Sequence, residues 1–162
     1  MKILFLHGWQ SVPGGVKPVS LRQRGHEVLN PQLPDHDFAE SVRIASQLCS
    51  NDKPDVVVGS SRGGAVAMAI ENPGAPLLLL CPAWRHYGVA PMVAASTLII
   101  HSRRDEVIPF TDSQEILRAS GLHEQALMES GVDHRLADDE SLARMNAACE
   151  VLAQNRNRKR TS

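Results

Sequence analysis

Gly59-Ser60-Ser61-Arg62-Gly63 sets a serine between two glycines, at the junction of an apolar run, Val56-Val57-Val58, and a small-residue segment, Gly64-Ala65-Val66-Ala67. A serine hydroxyl becomes a useful nucleophile when a tight strand-to-helix turn lifts it clear of the sheet. Glycines on either side remove the Cβ atoms that would meet the crossing backbone. The same turn puts Ser61 at a helix start, where the Arg62 N–H and the helix dipole face any oxyanion that forms. That is the equipment of acyl transfer. With glycine and serine each near 7% of residues, the three fixed positions recur by chance in roughly one chain in twenty of this length. It is therefore the flanking strand and helix that raise Ser61 above a plain tight turn. A phosphate-binding loop is disfavoured, because no Gly-Lys-Ser/Thr follows.

The elements that must carry such a turn are legible around it. Short apolar runs at Ile3 to Leu6, Val28 to Leu33, Val56 to Val58, Leu77 to Leu80 and Leu98 to Ile100 alternate with longer amphipathic stretches. Continuous apolar runs mark strands buried on both faces, as in a parallel sheet covered by helices. Helices are expected over Phe38 to Cys49, Ser61 to Ile70 and Asp138 to Leu152. Thr111 to Gln114 offers capping side chains ahead of Ile116 and Leu117, and Ala126 to Glu129 reads as a last short strand. The fold class is α/β: a compact, mostly parallel sheet with helices on both faces, one domain over 1–154. Residues 155–162 form a basic tail, expected to be frayed.

Composition bounds the partners. The chain has 162 residues, 43% of them hydrophobic, enough for a single core. Its 17 basic and 18 acidic residues leave no overall field toward nucleic acid or a membrane. Met1-Lys2 leads directly into the first apolar run without a signal-peptide pattern, and no apolar stretch reaches the roughly 20 residues of a membrane helix. Cys49, Cys81 and Cys149 are an odd set without C-x-x-C spacing, which fits a reducing, cytoplasmic setting. No histidine and carboxylate cluster has metal-ligand spacing, so no metal and no cofactor is expected.

Four segments, Leu6-His7-Gly8-Trp9, Gly59 to Gly63, His101 to Pro109 and Gly131-Val132-Asp133-His134, resemble the α/β-hydrolase superfamily. Within it the chain is most similar to the small lidless bacterial esterases, including the YqiA-like group. The resemblance covers nearly the whole chain, and the order Ser, Asp, His matches. It implies Asp105 as the acid that orients the base, with Glu106 the nearest alternative. It implies His134 as the base, with His101 the main rival. The rival reading of Asp105 is a loop carboxylate paired with Arg103 or Arg104. By the same match, the backbone N–H groups of Trp9 and Arg62 form the oxyanion hole, and His7 organises the first loop. Trp9 departs from the phenylalanine or glycine usual there.

The reaction these assignments imply is two-step hydrolysis of a carboxylic ester or thioester through an acyl-enzyme. Only about fifteen residues link Leu80 to the next strand, where larger relatives insert a lid, so no cap domain is expected. Trp9, Trp84 and Tyr87 are expected to wall a site for small or medium acyl groups on a soluble substrate. Arg62 and Arg85 could favour an anionic substrate, and could equally be ordinary surface arginines. The alternatives are a non-catalytic binding protein of the same fold, or another chemistry on the same triad, such as C–C cleavage or perhydrolysis. None of these features sets an oligomeric state.

Overall fold

The computed structural model describes residues 1–72 and 74–161, the last three by backbone alone. Six strands, β1 (Lys2–Leu6), β2 (Glu27–Leu29), β3 (Val56–Ser60), β4 (Leu77–Leu80), β5 (Thr97–His101) and β6 (Leu127–Glu129), form one sheet in the order β2-β1-β3-β4-β5-β6. All five pairings are parallel. The helices are α1 (Val16–Gln23), α2 (Phe38–Asp52), α3 (Arg62–Ala69), α4 (Phe110–Ala119) and α5 (Asp139–Thr161).

Period-2 alternation in each strand explains the layers. Ile3, Phe5, Val56 and Val58 face one side, where Leu21 of α1 and Met145, Ala148, Cys149 and Leu152 of α5 cover them. Leu4, Leu6 and Val57 face the other, packed by Ala45 and Cys49 of α2, Val66 of α3 and Ile116 of α4. Both faces are covered, as uninterrupted apolar strands require. The chain runs outward from β1 to β2 and returns past β1 to β3, so the strand order reverses between β1 and β3. The carboxyl ends of these two strands open a crevice there.

Three sequence expectations change in detail. β2 pairs only at Glu27–Leu29 rather than as far as Leu33. Pro31 has no N–H for a ladder, and Leu33 donates its N–H to the His7 ring instead. Thr111 to Gln114 does not cap α4, which begins at Phe110 after Pro109 without a side-chain cap; Asp112 and Ser113 point inward to other partners. α5 runs through residues 155–161, so the backbone of the expected tail is helical there, and Arg156 reaches the Pro54 carbonyl. Residue 162 and the side chains of 159–161 lie outside the described residues. The link from β4 to β5 holds only one short 3₁₀ turn, Trp84–Tyr87, and no cap domain. Among the described residues no helix is long and apolar enough to cross a membrane.

Candidate active site

Ser61 sits between β3 and α3 with φ 54° and ψ −117°, a conformation that a non-glycine residue adopts only when its surroundings force it. Its N–H donates to the Leu80 carbonyl at 2.8 Å, and its carbonyl accepts from Gly64, Ala65 and Ala83. The strained turn is thereby fixed on both sides. Close packing explains the flanking glycines: a Cβ on Gly59 would lie 2.4 Å from the Gly63 carbonyl oxygen, and one on Gly63 would lie 2.1 Å from that of Leu6. α3 can approach β1 and β3 only without those side chains.

The hydroxyl points to the base. His134 Nε2 lies 2.9 Å from Ser61 Oγ, and His134 Nδ1 lies 2.7 Å from Asp105 Oδ2. The carboxylate accepts, so Nδ1 carries the proton and the Nε2 lone pair faces the serine hydroxyl. Asp105 has a fully buried side chain, and burial alone would raise its pKa. Hydrogen bonds from His101, His134 and the Ile108 and Val107 N–H groups outweigh burial and hold the carboxyl well below the usual range. Arg103 pairs with Glu129, and Asp105 has no ion pair with Arg103 or Arg104 among the described residues, its partners being His101 and His134. Glu106 is exposed.

His101, the rival base, belongs to the same network in another role. Its ring is fully buried, with Nε2 3.1 Å from Asp105 Oδ2 and from the Ile108 carbonyl, and Nδ1 2.7 Å from Ser113 Oγ. Two acceptors at Nε2 place the proton there, leaving Nδ1 to accept from the Ser113 hydroxyl. His101 therefore donates to the acid and lies outside proton reach of Ser61.

The N–H groups of Trp9 and Arg62 have no protein acceptor among the described residues, as an oxyanion hole requires. Gly8 brings the first loop against the nucleophile: a Cβ there would lie 3.4 Å from Ser61 Cβ. His7 is buried and structural. Leu33 N–H donates to its Nε2 at 3.0 Å, so the Nδ1 proton goes to the Gly8 carbonyl at 2.9 Å.

A cleft of about 480 Å³ opens over Ser61, walled by Trp9, Val16, Lys17, Val107, His134 and Arg135 among others. Trp9, 55% exposed, is where the sequence placed it. Trp84 and Tyr87 are not. Trp84 is 5% exposed in the core, its Nε1 donating to the Asp112 carbonyl, and Tyr87 stacks on Phe38 with ring centroids 4.8 Å apart. Both follow β4 and fold toward α2 and α4, away from the cleft. Of the two arginines, Arg85 is the ordinary surface arginine the sequence suggested, whereas Arg62 is not at the surface. The Arg62 guanidinium is buried against the Pro34 carbonyl and Ser41 Oγ, and Arg85 pairs with Asp112 and Glu115. Lys17 and Arg135 were missed; the available signal was their position beside the Gly14-Gly15 turn and directly after His134.

Cys81, Asp105 and His134 bring a possible ligand atom each within 4.8 Å of the others, a grouping that sequence spacing does not reveal. Burial pushes the Cys81 thiol far up, and a thiol ligates metals as thiolate. Asp105 and His134 are already committed to each other and to Ser61, so the trio fits the triad better than a resident metal. All three cysteines are free and buried.

Among solved structures, the fold is similar to alpha/beta hydrolase domain-containing protein 10 from mouse, at 13% identity over 95% of this chain and 90% of that one, with a TM-score of 0.81. It is similar to the esterase domain of a Rhodothermus marinus protein, at 16% identity over 97% and 86%, TM-score 0.67. An alpha/beta hydrolase enzyme from a sediment metagenome of the Mar Chica lagoon, Morocco, matches at 15% identity over 97% and 92%, TM-score 0.69. No curated protein matches the chain. The profile of the Alpha/beta hydrolase family matches residues 3–160, and the chain belongs to that family.

Proposed function

We propose that the protein is a serine hydrolase that cleaves a carboxylic ester or thioester of a small to medium acyl group through an acyl-enzyme. The observation that carries this reading is the unbroken line from Asp105 Oδ2 through His134 to Ser61 Oγ, at 2.7 and 2.9 Å. His134 takes the Ser61 proton as Oγ attacks the carbonyl carbon. Asp105 holds the ring in its tautomer and stabilises the imidazolium. The oxyanion accepts from the Trp9 and Arg62 N–H groups. His134 then protonates the leaving alcohol or thiol, and water attacks the acyl-enzyme by the same route. No cofactor enters these steps. The open cleft supports a small soluble substrate with no need of a membrane surface, and three free, buried thiols support a cytoplasmic setting.

Intact-mass labelling with a fluorophosphonate tests it. Stoichiometric addition to the native protein, and none to Ser61→Ala, is the expected result. A folded native protein that takes no label would overturn the reading in favour of a binding protein.

A further inference from the structure

The walls of the cleft carry two cations, Lys17 and Arg135, and no aspartate or glutamate among the described residues that line it. Elsewhere the arginines that reach a carboxylate do so in plain ion pairs, as Arg43 with Glu40 and Arg144 with Glu140. Lys17 and Arg135 have no ion pair among the described residues. Lys17 is half-buried on the first turn of α1. Burial holds its ammonium below the ordinary lysine range, and Arg135 adds to the lowering. Two like charges beside one cleft each make the other costlier, and an anion between them would relieve both. Asp133, whose charge offsets part of that lowering at Lys17, is exposed and lies outside the lining, and its Oδ1 accepts a hydrogen bond from the Arg135 backbone N–H.

The two cations also sit close to the chemistry. Lys17 lies within electrostatic range of Cys81, and Cys81 offers its sulfur within 4.8 Å of ring and carboxylate atoms of His134 and Asp105. Arg135 follows the base directly. With a formal net charge of −1 the protein has no overall attraction for anions, so this positive spot is local to the cleft.

Resting on the serine-hydrolase reading above, we propose that the substrate is an ester or thioester bearing an anionic oxygen group, carboxylate or phosphate, and that Lys17 and Arg135 select it. The anion docks between the two cations while the scissile carbonyl lies over Ser61. It exchanges water for charge-assisted hydrogen bonds from Lys17, already partly stripped of water, and from the exposed Arg135.

Matched substrates test this, each rate divided by that of alkaline hydrolysis. On the acyl side, mono-4-nitrophenyl glutarate is compared with 4-nitrophenyl pentanoate. On the alcohol side, 4-acetoxybenzoate and 4-acetoxyphenyl phosphate are compared with methyl 4-acetoxybenzoate. The expected result is a kcat/KM ratio of about tenfold or more for the anion in at least one arm. That ratio should fall with added salt and drop toward one in Lys17→Met. Arg135→Gln provides the same readout if Lys17→Met does not fold. Ratios at or below one in both arms, or a ratio that neither variant moves, would overturn the proposal while leaving a hydrolase of neutral esters intact. Should no ester turn over, the hydrolase reading fails separately. Calorimetry of glutarate against glutaramide on Ser61→Ala then decides the anion site alone: preferential glutarate binding, lost in Ser61→Ala/Lys17→Met, supports it, and equal or absent binding overturns it.

Discussion

His101 Nε2 lies 3.1 Å from Oδ2 of Asp105, the same oxygen that accepts the hydrogen bond from His134 Nδ1 at 2.7 Å. The acid is thus held by a second, fully buried imidazole that cannot itself reach the serine. Replacing that ring, as in His101→Phe, removes one donor from the carboxylate and leaves the Ser113 hydroxyl without its acceptor. The carboxyl pKa then rises, since a donor favours the charged form. The expected outcome is a fall in kcat of about 10–100-fold through misplacement of the acid. The stability lost on acidification should also be smaller than in the native protein. A fall in activity with an unchanged loss of stability in acid would reduce His101 to a packing residue.

Asp105 links the site to stability. Its folded-state pKa is depressed, so its contribution to stability is complete above the unfolded value of about 4 and is lost as pH falls from there toward the folded value. Urea unfolding of the protein and of Asp105→Asn should show a stability gap at pH 7 that narrows by about 1 kcal/mol at pH 3. A constant gap would mean that folding leaves the carboxyl pKa unchanged, and a gap that widens at pH 3 would mean that the carboxyl is neutral in the fold. Asp105→Asn should lower turnover by roughly 10³-fold or more, whereas Glu106→Gln, on an exposed side chain, should leave it within about twofold.

Ser61→Ala and His134→Ala should each lower turnover by roughly 10³-fold or more while far-UV circular dichroism stays unchanged. The double variant should be scarcely worse than either single one, because the two residues act as a unit. Near-normal activity of His134→Ala would remove it as the base.

Gly63→Ala tests the elbow's packing. The new methyl would lie 2.1 Å from the Leu6 carbonyl oxygen, a backbone atom of the central strand pair that cannot swing aside. Gly64→Ala meets Pro82 at 2.9 Å at closest, a milder collision. Thermal melts should order the two, with Gly63→Ala unfolded or lowered by at least several degrees more than Gly64→Ala. Equal melting temperatures would show that α3 can move off β1.

Much of the molecule was determined locally. The apolar runs of β1, β3, β4 and β5 are strands because β-branched and leucine-rich segments buried on both faces admit little else. The elbow was legible because its glycine pattern lies within five residues, although only Gly59 answers to a nearby backbone contact, at Gly63, while Gly63 itself answers to Leu6 of β1. Asp105 and His134 were singled out by the resemblance of the loops after β5 and β6 to those of the family, and the structure brings both to Ser61. What tertiary structure decided is everything that depends on which way a side chain turns once the elements have met. Trp84 and Tyr87 looked like pocket walls from their position after β4, and went instead into the core and onto Phe38. Arg62, read as a surface charge or an anion contact, was taken up by the Pro34 carbonyl, while Arg85 stayed at the surface with Asp112 and Glu115. His101 looked like a competitor of His134 and became its neighbour on the same carboxylate. Lys17 and Arg135, about 120 residues apart in sequence, meet at one cleft because α1 and the loop after β6 converge on the ends of β1 and β3. Such convergence depends on contacts distant in sequence, which hydrophobic periodicity does not encode.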